Sequence, residues 1–267
     1  KKGGNDSYVA LVASDMKSKH LRLIESWLGK ENVWPVNKSI LRKKVPKGNK
    51  LWGAVFSKLD FFNLTMFDKV IALDNDVLIR RNIEHWFDLP TPAATQERGS
   101  IEWNSGAMVI EPNEHLFNTL LDYLSKTQLW KPSLDDGVDP WNSGDGHQGF
   151  LSAFFTSDAT PHNMFTMNYG CSVLSSDLEE KFENHYYWMY RNQAIETMHL
   201  TKHKPWKEKT ESSKPATCAM LREWGESVKD APLDKMPPLP NYLRKCPPLG
   251  GEDVERKTSL NERTETR

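Results

Sequence analysis

The feature that most constrains this chain is a short apolar run that ends on acidic residues. Val70–Leu73 has the composition of a fully buried strand, and Asp74, Asn75 and Asp76 follow it directly. Open α/β sheets bind their ligands at the carboxyl ends of such strands. Carboxylates two residues apart can reach one cation if the chain turns there, and they suit hard ions such as Mg²⁺ or Mn²⁺. The same pattern also fits a solvated turn at the end of a strand.

Strand and helix patterns alternate along the sequence. Tyr8–Ala13 and Val33–Val36 predict two strands, and the segment between them predicts an amphipathic helix that ends near Gly29. Further helices are predicted for residues 56–67, from Asn113 onward, and for residues 148–155, with strands at residues 93–95 and 107–110. A strand, a helix and a strand at this spacing form a βαβ unit, so the sequence predicts an α/β fold.

Composition excludes several classes of protein. The chain has 267 residues, of which 35 are basic and 36 are acidic. It therefore lacks the excess of basic residues that would indicate a nucleic-acid partner. It has no apolar run of about 18 residues, and no transmembrane span is predicted. Its three cysteines are widely spaced and odd in number, so neither a disulfide framework nor a zinc site is expected.

Four further segments accompany the acidic pair. They are WGAVFSKLDFFNLTMFDKVIALDNDVLI around it, and WNSGAMVIEP, GHQGFLSAFF and HLTKHKPW after it. In this order and at these spacings the chain resembles glycosyltransferase family 8, the family of glycogenin and its plant and fungal relatives. The resemblance implies a Rossmann-like mixed sheet of the GT-A type. It also implies transfer of a hexosyl unit from a UDP-sugar, with retention of anomeric configuration, to a carbohydrate, lipid or protein hydroxyl.

The resemblance implies a metal site made of Asp74, Asp76 and His199. Mn²⁺ or Mg²⁺ would neutralise charge on the departing diphosphate, and a histidine ligand favours Mn²⁺ over Ca²⁺. His199 by itself also fits an ordinary loop histidine. Lys204 matches a family lysine that reaches the diphosphate as a point charge. Lys202 is a departure, because the family usually has a glycine there whose backbone approaches the phosphate.

Donor-binding residues are also implied. Lys58, sixteen residues before the acidic pair, matches a family lysine near the donor, and a surface lysine is an equal alternative. Asn104, Ser105 and Gly106 match the family triplet whose asparagine hydrogen-bonds the donor sugar. The same triplet fits a simple turn leading into a strand.

The loop at residues 144–149 departs from the family. The family has Gly-Asp-Gln-Gly, of which Gln148 and Gly149 match, whereas His147 replaces the aspartate. Either Asp145 takes the catalytic role beside Gln148, or the catalytic group is altered, or the loop has no catalytic role. The alternative function is therefore an altered relative that binds a nucleotide sugar or glycan without turnover. A nucleotidyltransferase should show a Gly-rich basic loop near its start, which this sequence lacks.

The predicted domain organisation is a transferase domain over residues 8–206, a linker with a short helix over 207–230, and a disordered Pro-rich, charged tail over 231–267. Family members begin with another strand and helix before the strand at Tyr8, so we expect the domain to be N-terminally incomplete. The sequence leaves open whether the compartment is the Golgi lumen or the cytoplasm. It also leaves open which sugar is transferred, which acceptor receives it and whether the protein forms a homodimer.

Overall fold

A computed structural model describes residues 8–36, 56–97, 102–126, 147–158, 160–175, 195–201, 204–206, 215–229 and 246. The chain divides into two compact units. The first comprises Lys1–Val77 and Asn82–Ser172, and the second comprises Leu78–Arg81 and Val173–Arg267. The predicted division at residues 206 and 230 stays a prediction, since most of the linker and tail lies outside the described residues.

The first unit opens with the predicted βαβ unit. Strands β1 (Ala10–Ala13) and β2 (Val33–Val36) pair in parallel, and helix α1 (Ser18–Leu28) connects them. Gly29 ends the helix with φ of 83°, a conformation that glycine adopts without steric cost. This part of the α/β prediction is confirmed.

The main sheet of the first unit contains four strands, β3 (Val70–Leu73), β5 (Ala93–Gln96), β6 (Trp103–Ile110) and β7 (Phe165–Thr166). Their order across the sheet is β3-β6-β5-β7. The sheet is mixed, because β6 runs antiparallel to β3 and β5 while β5 and β7 run parallel. Leu73 pairs with Ala107, so the acidic pair begins one residue beyond the paired part of β3.

Alternate residues of the central strand β6 belong to two different apolar clusters. Met108 and Ile110 pack in the larger cluster, whereas Ala107 and Val109 pack with Trp86 in the smaller one. Successive side chains of a strand point to opposite faces. Both faces of the sheet are therefore covered, which explains why β3 is an uninterrupted apolar run.

Helices supply the larger cluster. They are the 3₁₀ helix Phe56–Asn63, helix α2 (Glu114–Lys126) and helix α3 (His147–Thr156). The Asn113 side-chain oxygen accepts the backbone N–H of Leu116 at 3.0 Å, which caps α2 as the sequence predicts. Residues 56–67 form the shorter 3₁₀ helix rather than one continuous α-helix.

The second unit contains helix α4 (Pro215–Val228) and most of a three-stranded sheet. The sheet has the order β4-β9-β8, formed by β4 (Val77–Ile79), β8 (Ser172–Leu174) and β9 (Thr197–His199). No helix among the described residues is both long enough and apolar enough to span a membrane.

A disulfide joins Cys218 of α4 to Cys246, with Cα atoms 5.5 Å apart. The cysteine spacing argued against a disulfide framework, and it did not predict this single disulfide. Pairing depends on whether the folded chain brings two Cα atoms to this separation, and a spacing of 28 residues along the sequence does not reveal it. Cys171 lies outside this disulfide.

Candidate metal and donor site

The acidic pair lies in a tight turn between β3 and β4. The backbone N–H of Asp74 donates to Gly106 at 2.8 Å, and that of Val77 donates back to Asp74 at 3.1 Å. Asp76 is only 7% exposed, while Asp74 is partly exposed. A buried carboxylate is costly unless it is paired, hydrogen-bonded or metal-bound, so a solvated turn does not describe Asp76.

His199 is the last residue of β9 and is 6% exposed. Asp74, Asp76 and His199 each offer one ligand atom, and these atoms all lie within 4.8 Å of one another. Ligand distances of about 2.0–2.6 Å allow two atoms on one ion to lie up to about 5 Å apart. The three side chains therefore fit one divalent ion. Two oxygens and one imidazole nitrogen suit a metal such as Mn²⁺.

Lys58 lies directly at the acidic pair. Its Nζ donates to Asp74 Oδ2 at 2.5 Å, and both side chains are mostly buried. The 3₁₀ helix explains this position, because Phe56, Leu59 and Phe62 recur every three residues and occupy the core. Lys58 falls between them and is directed elsewhere. The bond orients Asp74 and places a positive charge beside a predicted ligand.

The Asn-Ser-Gly triplet lies inside β6 rather than in a turn before it. All three residues are buried, and Thr95 pairs with Asn104 across β5 and β6. The turn alternative is therefore wrong for this triplet. The Asn104 Oδ1 accepts the backbone N–H of Gly106 at 2.8 Å, and its Nδ2 donates to Glu97 Oε1 at 3.0 Å.

Gln148 joins the same cluster from the first turn of α3. Its Nε2 donates to Glu97 Oε1 at 2.8 Å, and its Oε1 accepts the backbone N–H of Ser105 at 3.4 Å. Two residues predicted to contact the donor sugar, Asn104 and Gln148, thus meet on one carboxylate. We call Glu97, Asn104 and Gln148 the amide–carboxylate cluster.

Sequence reasoning missed Glu97. It directly follows the buried strand β5, just as Asp74 follows β3, so the available signal was a carboxylate immediately after a predicted strand. Its partner amides lie 7 and 51 residues further along the chain, so only the fold identifies the cluster.

The remaining candidates are described only in part. Lys204 is partly buried, and it precedes the buried Pro205 and the 39%-exposed Trp206. Asp145 and Lys202 lie outside the described residues, and only the backbone of His147 is described. Their predicted roles stay predictions.

Asp60 is a titratable group outside the acidic pair. Burial raises the pKa of its carboxyl to about 6, because the charged form loses hydration. It lies on the same 3₁₀ helix as Lys58, but it is not a member of the group that could hold the metal ion.

The fold is of the GT-A type. The crystal structure of the glycosyltransferase GlyE from Streptococcus pneumoniae TIGR4 covers 84% of this chain and 58% of its own, with a TM-score of 0.50 and 14% identity. The apo form of the same protein covers 83% of this chain and 56% of its own, with a TM-score of 0.51 and 14% identity. These similarities concern the fold, and they confirm the predicted α/β class. No family model matches the chain.

Sequence relatives confirm the resemblance to glycosyltransferase family 8. UDP-glucuronate:xylan alpha-glucuronosyltransferase 1 of Arabidopsis thaliana is 32% identical over 158 residues, 58% of this chain and 21% of the relative. Inositol phosphorylceramide glucuronosyltransferase 1 of the same plant is 32% identical over 57% of this chain and 25% of the relative. Human glycogenin-1 is 32% identical over 109 residues, which are 40% of this chain and 27% of the relative. The aligned part thus spans about a quarter of these relatives' length.

Proposed function

We propose that this chain is a metal-dependent hexosyltransferase that moves a sugar from a UDP-sugar to a hydroxyl of a carbohydrate, lipid or protein. The observation that carries this proposal is the convergence of Asp74, Asp76 and His199. Two oxygens and one nitrogen within 4.8 Å, at the carboxyl end of a buried strand, are the ligands such a reaction requires.

Asp74, Asp76 and His199 would hold the ion, which when bound would neutralise charge on the diphosphate as the glycosidic bond breaks. In the transfer, the bond from the anomeric carbon to the diphosphate oxygen breaks and its electron pair leaves with the diphosphate. The acceptor oxygen bonds to the anomeric carbon, and its proton passes to an oxygen of the departing diphosphate. Lys58 adds positive charge at the same place, since its Nζ lies 2.5 Å from Asp74 Oδ2.

The amide–carboxylate cluster is suited to binding the sugar. Glu97 orients the side-chain amides of Asn104 and Gln148 by accepting a hydrogen bond from each, and polar groups held in fixed positions suit the recognition of sugar hydroxyls. Fixed donors and acceptors at the reacting sugar lower the barrier by holding one productive geometry. The family resemblance supports retention of anomeric configuration. The names of the relatives make UDP-glucuronate and UDP-glucose the first donors to examine.

The second candidate function is a binding module without turnover. It is favoured by His147, which replaces the family aspartate in the Gly-Asp-Gln-Gly position. Glu97 weakens this alternative, because it supplies a carboxylate 2.8 Å from the Gln148 amide even if the loop aspartate is lost.

We expect the protein to release UDP from one of these donors when Mn²⁺ is present. The release should stop when EDTA removes the ion, because the charge that develops on the diphosphate then has no counter-charge. The measurement is coupled UDP detection, with fresh Mn²⁺ restoring the rate as the control for irreversible damage. Mn²⁺-dependent binding of UDP without any release would instead support the binding module.

We further propose that the protein works in an oxidising compartment. Of the two compartments that the sequence leaves open, this is the Golgi lumen. The support is the disulfide between Cys218 and Cys246, because such bonds are rare in the reducing cytosol. Denatured protein should show two fewer reactive thiols before reduction than after it. Equal thiol counts in protein prepared without reductant would refute the disulfide and this compartment.

A further inference from the structure

Lys58 shares the carboxylate of Asp74 with the ion of the proposed metal site. Its Nζ lies 2.5 Å from Asp74 Oδ2, and Asp74 is one of the three groups that could hold the ion. A carboxylate has two acceptor oxygens, so one carboxyl group can serve both cations. Both residues belong to the first unit, and their side chains are only 21% and 18% exposed. Solvent therefore screens the two positive charges from each other less than it would at the surface.

The charges of these groups determine what the sharing does. Asp74 and Asp76 together carry two negative charges, which match a divalent ion, and a neutral His199 adds none. Lys58 adds one positive charge, so these four groups and the ion together carry an excess of one positive charge. Two cations on one carboxylate repel each other, and this repulsion lowers the affinity for the ion. A diphosphate would supply the negative charge that removes the excess.

The backbone of Lys58 is fixed, whereas its side chain has room to adjust. Phe56 and Phe62 of the same 3₁₀ helix are fully buried, and the Phe62 carbonyl accepts the backbone N–H of Asn113 at 2.9 Å. Lysine carries its charge on a flexible four-carbon stem. The ammonium can therefore move from Asp74 to a nearby phosphate oxygen while the helix stays in place.

We infer that Lys58 couples the binding of the ion to the binding of the donor's diphosphate: it weakens the affinity of the protein alone for the ion and strengthens that affinity once a diphosphate is bound. This inference rests on the proposed metal site. Its sign does not depend on the other groups that contact Asp74, because removing a positive charge beside the ion lowers the repulsion whatever those groups are. A lysine that only oriented Asp74 would have the opposite sign, since its loss would weaken binding of the ion.

The test is a titration of the full chain with Mn²⁺, alone and with saturating UDP, followed by the electron paramagnetic resonance signal of the free ion. A titration of UDP without protein corrects for the Mn²⁺ that UDP binds in solution. Lys58→Met, which keeps a long side chain but not its charge, should bind Mn²⁺ more tightly than the parent when UDP is absent. The factor by which UDP strengthens Mn²⁺ binding should fall at least about fivefold, the lower end of the range for coupling between two ligands.

The matched control is Lys126→Met, the same change at a side chain that is 72% exposed and pairs with Asp122 on α2. It should alter neither quantity. Lys58→Arg, which keeps the charge, should retain more of the coupling than Lys58→Met, and Lys58→Gln provides a second neutral variant. Circular dichroism and melting temperature accompany each sample.

Weaker Mn²⁺ binding by the neutral Lys58 variants in the absence of UDP, or an undiminished effect of UDP on them, would overturn the inference. If the parent protein binds Mn²⁺ no better than Asp76→Asn, with or without UDP, the proposed metal site itself is refuted.

Discussion

Asp76→Asn is expected to lower Mn²⁺-dependent release of UDP by at least about 10³-fold, because a metal contributes several kcal/mol of charge stabilisation and each ~1.4 kcal/mol is tenfold in rate. Asn keeps the size of the side chain but removes the charge that binds the cation. Asp76 is the more buried carboxylate of the pair, so no water can easily replace it. The measurements are UDP release and Mn²⁺ affinity on the same preparation.

The control for this prediction is Asp88→Asn, the same chemical change at an exposed position in the 3₁₀ helix Glu84–Asp88. It should leave both quantities unchanged. If Asp76→Asn retains at least a tenth of the parent rate with unchanged Mn²⁺ affinity, the proposed ligand set is wrong.

Glu97→Gln is expected to lower the rate of UDP release about 10²-fold while leaving the affinity for UDP nearly unchanged. The carboxylate Oε1 accepts hydrogen bonds from both Asn104 and Gln148, at 3.0 and 2.8 Å, and a glutamine would offer them only an uncharged, weaker acceptor, so both amides would be held less firmly. A displacement of about 1 Å at the reacting sugar costs about 10²-fold in rate. UDP lacks the sugar, so its binding should not report this change.

Asp145→Asn, measured in the same way, tests the other candidate carboxylate. A large loss in Asp145→Asn beside a small one in Glu97→Gln would assign the role to the loop and contradict our expectation. The matched control is Glu114→Gln, which changes an exposed glutamate in the first turn of α2. It should not change the rate.

Local patterns predicted much of the fold. The apolar run Val70–Leu73, the βαβ unit at the start and the stripe of leucines on α2 all have the structures expected from their sequence. Each depends on side-chain periodicity within one element, which burial against the rest of the protein reinforces.

The errors share a different cause. The Asn-Ser-Gly triplet has the composition of a turn, yet it lies in β6 because β5 pairs with it through Thr95 and Asn104. Strand pairing with another segment overrides local turn propensity. The disulfide was missed for the same reason, because Cys218 and Cys246 are brought together only by the folded second unit.

The sequence by itself determined the α/β class and the identity of the acidic pair, because both are encoded in residues adjacent along the chain. The tertiary structure decided how distant groups meet: it brings His199, which the family resemblance had named, within reach of Asp74 and Asp76, and it places Glu97 2.8 Å from the Gln148 amide. Such contacts follow from strand order and register, in which a shift of one residue turns every side chain of a strand to the other face. Spacing along one sequence does not by itself specify that register.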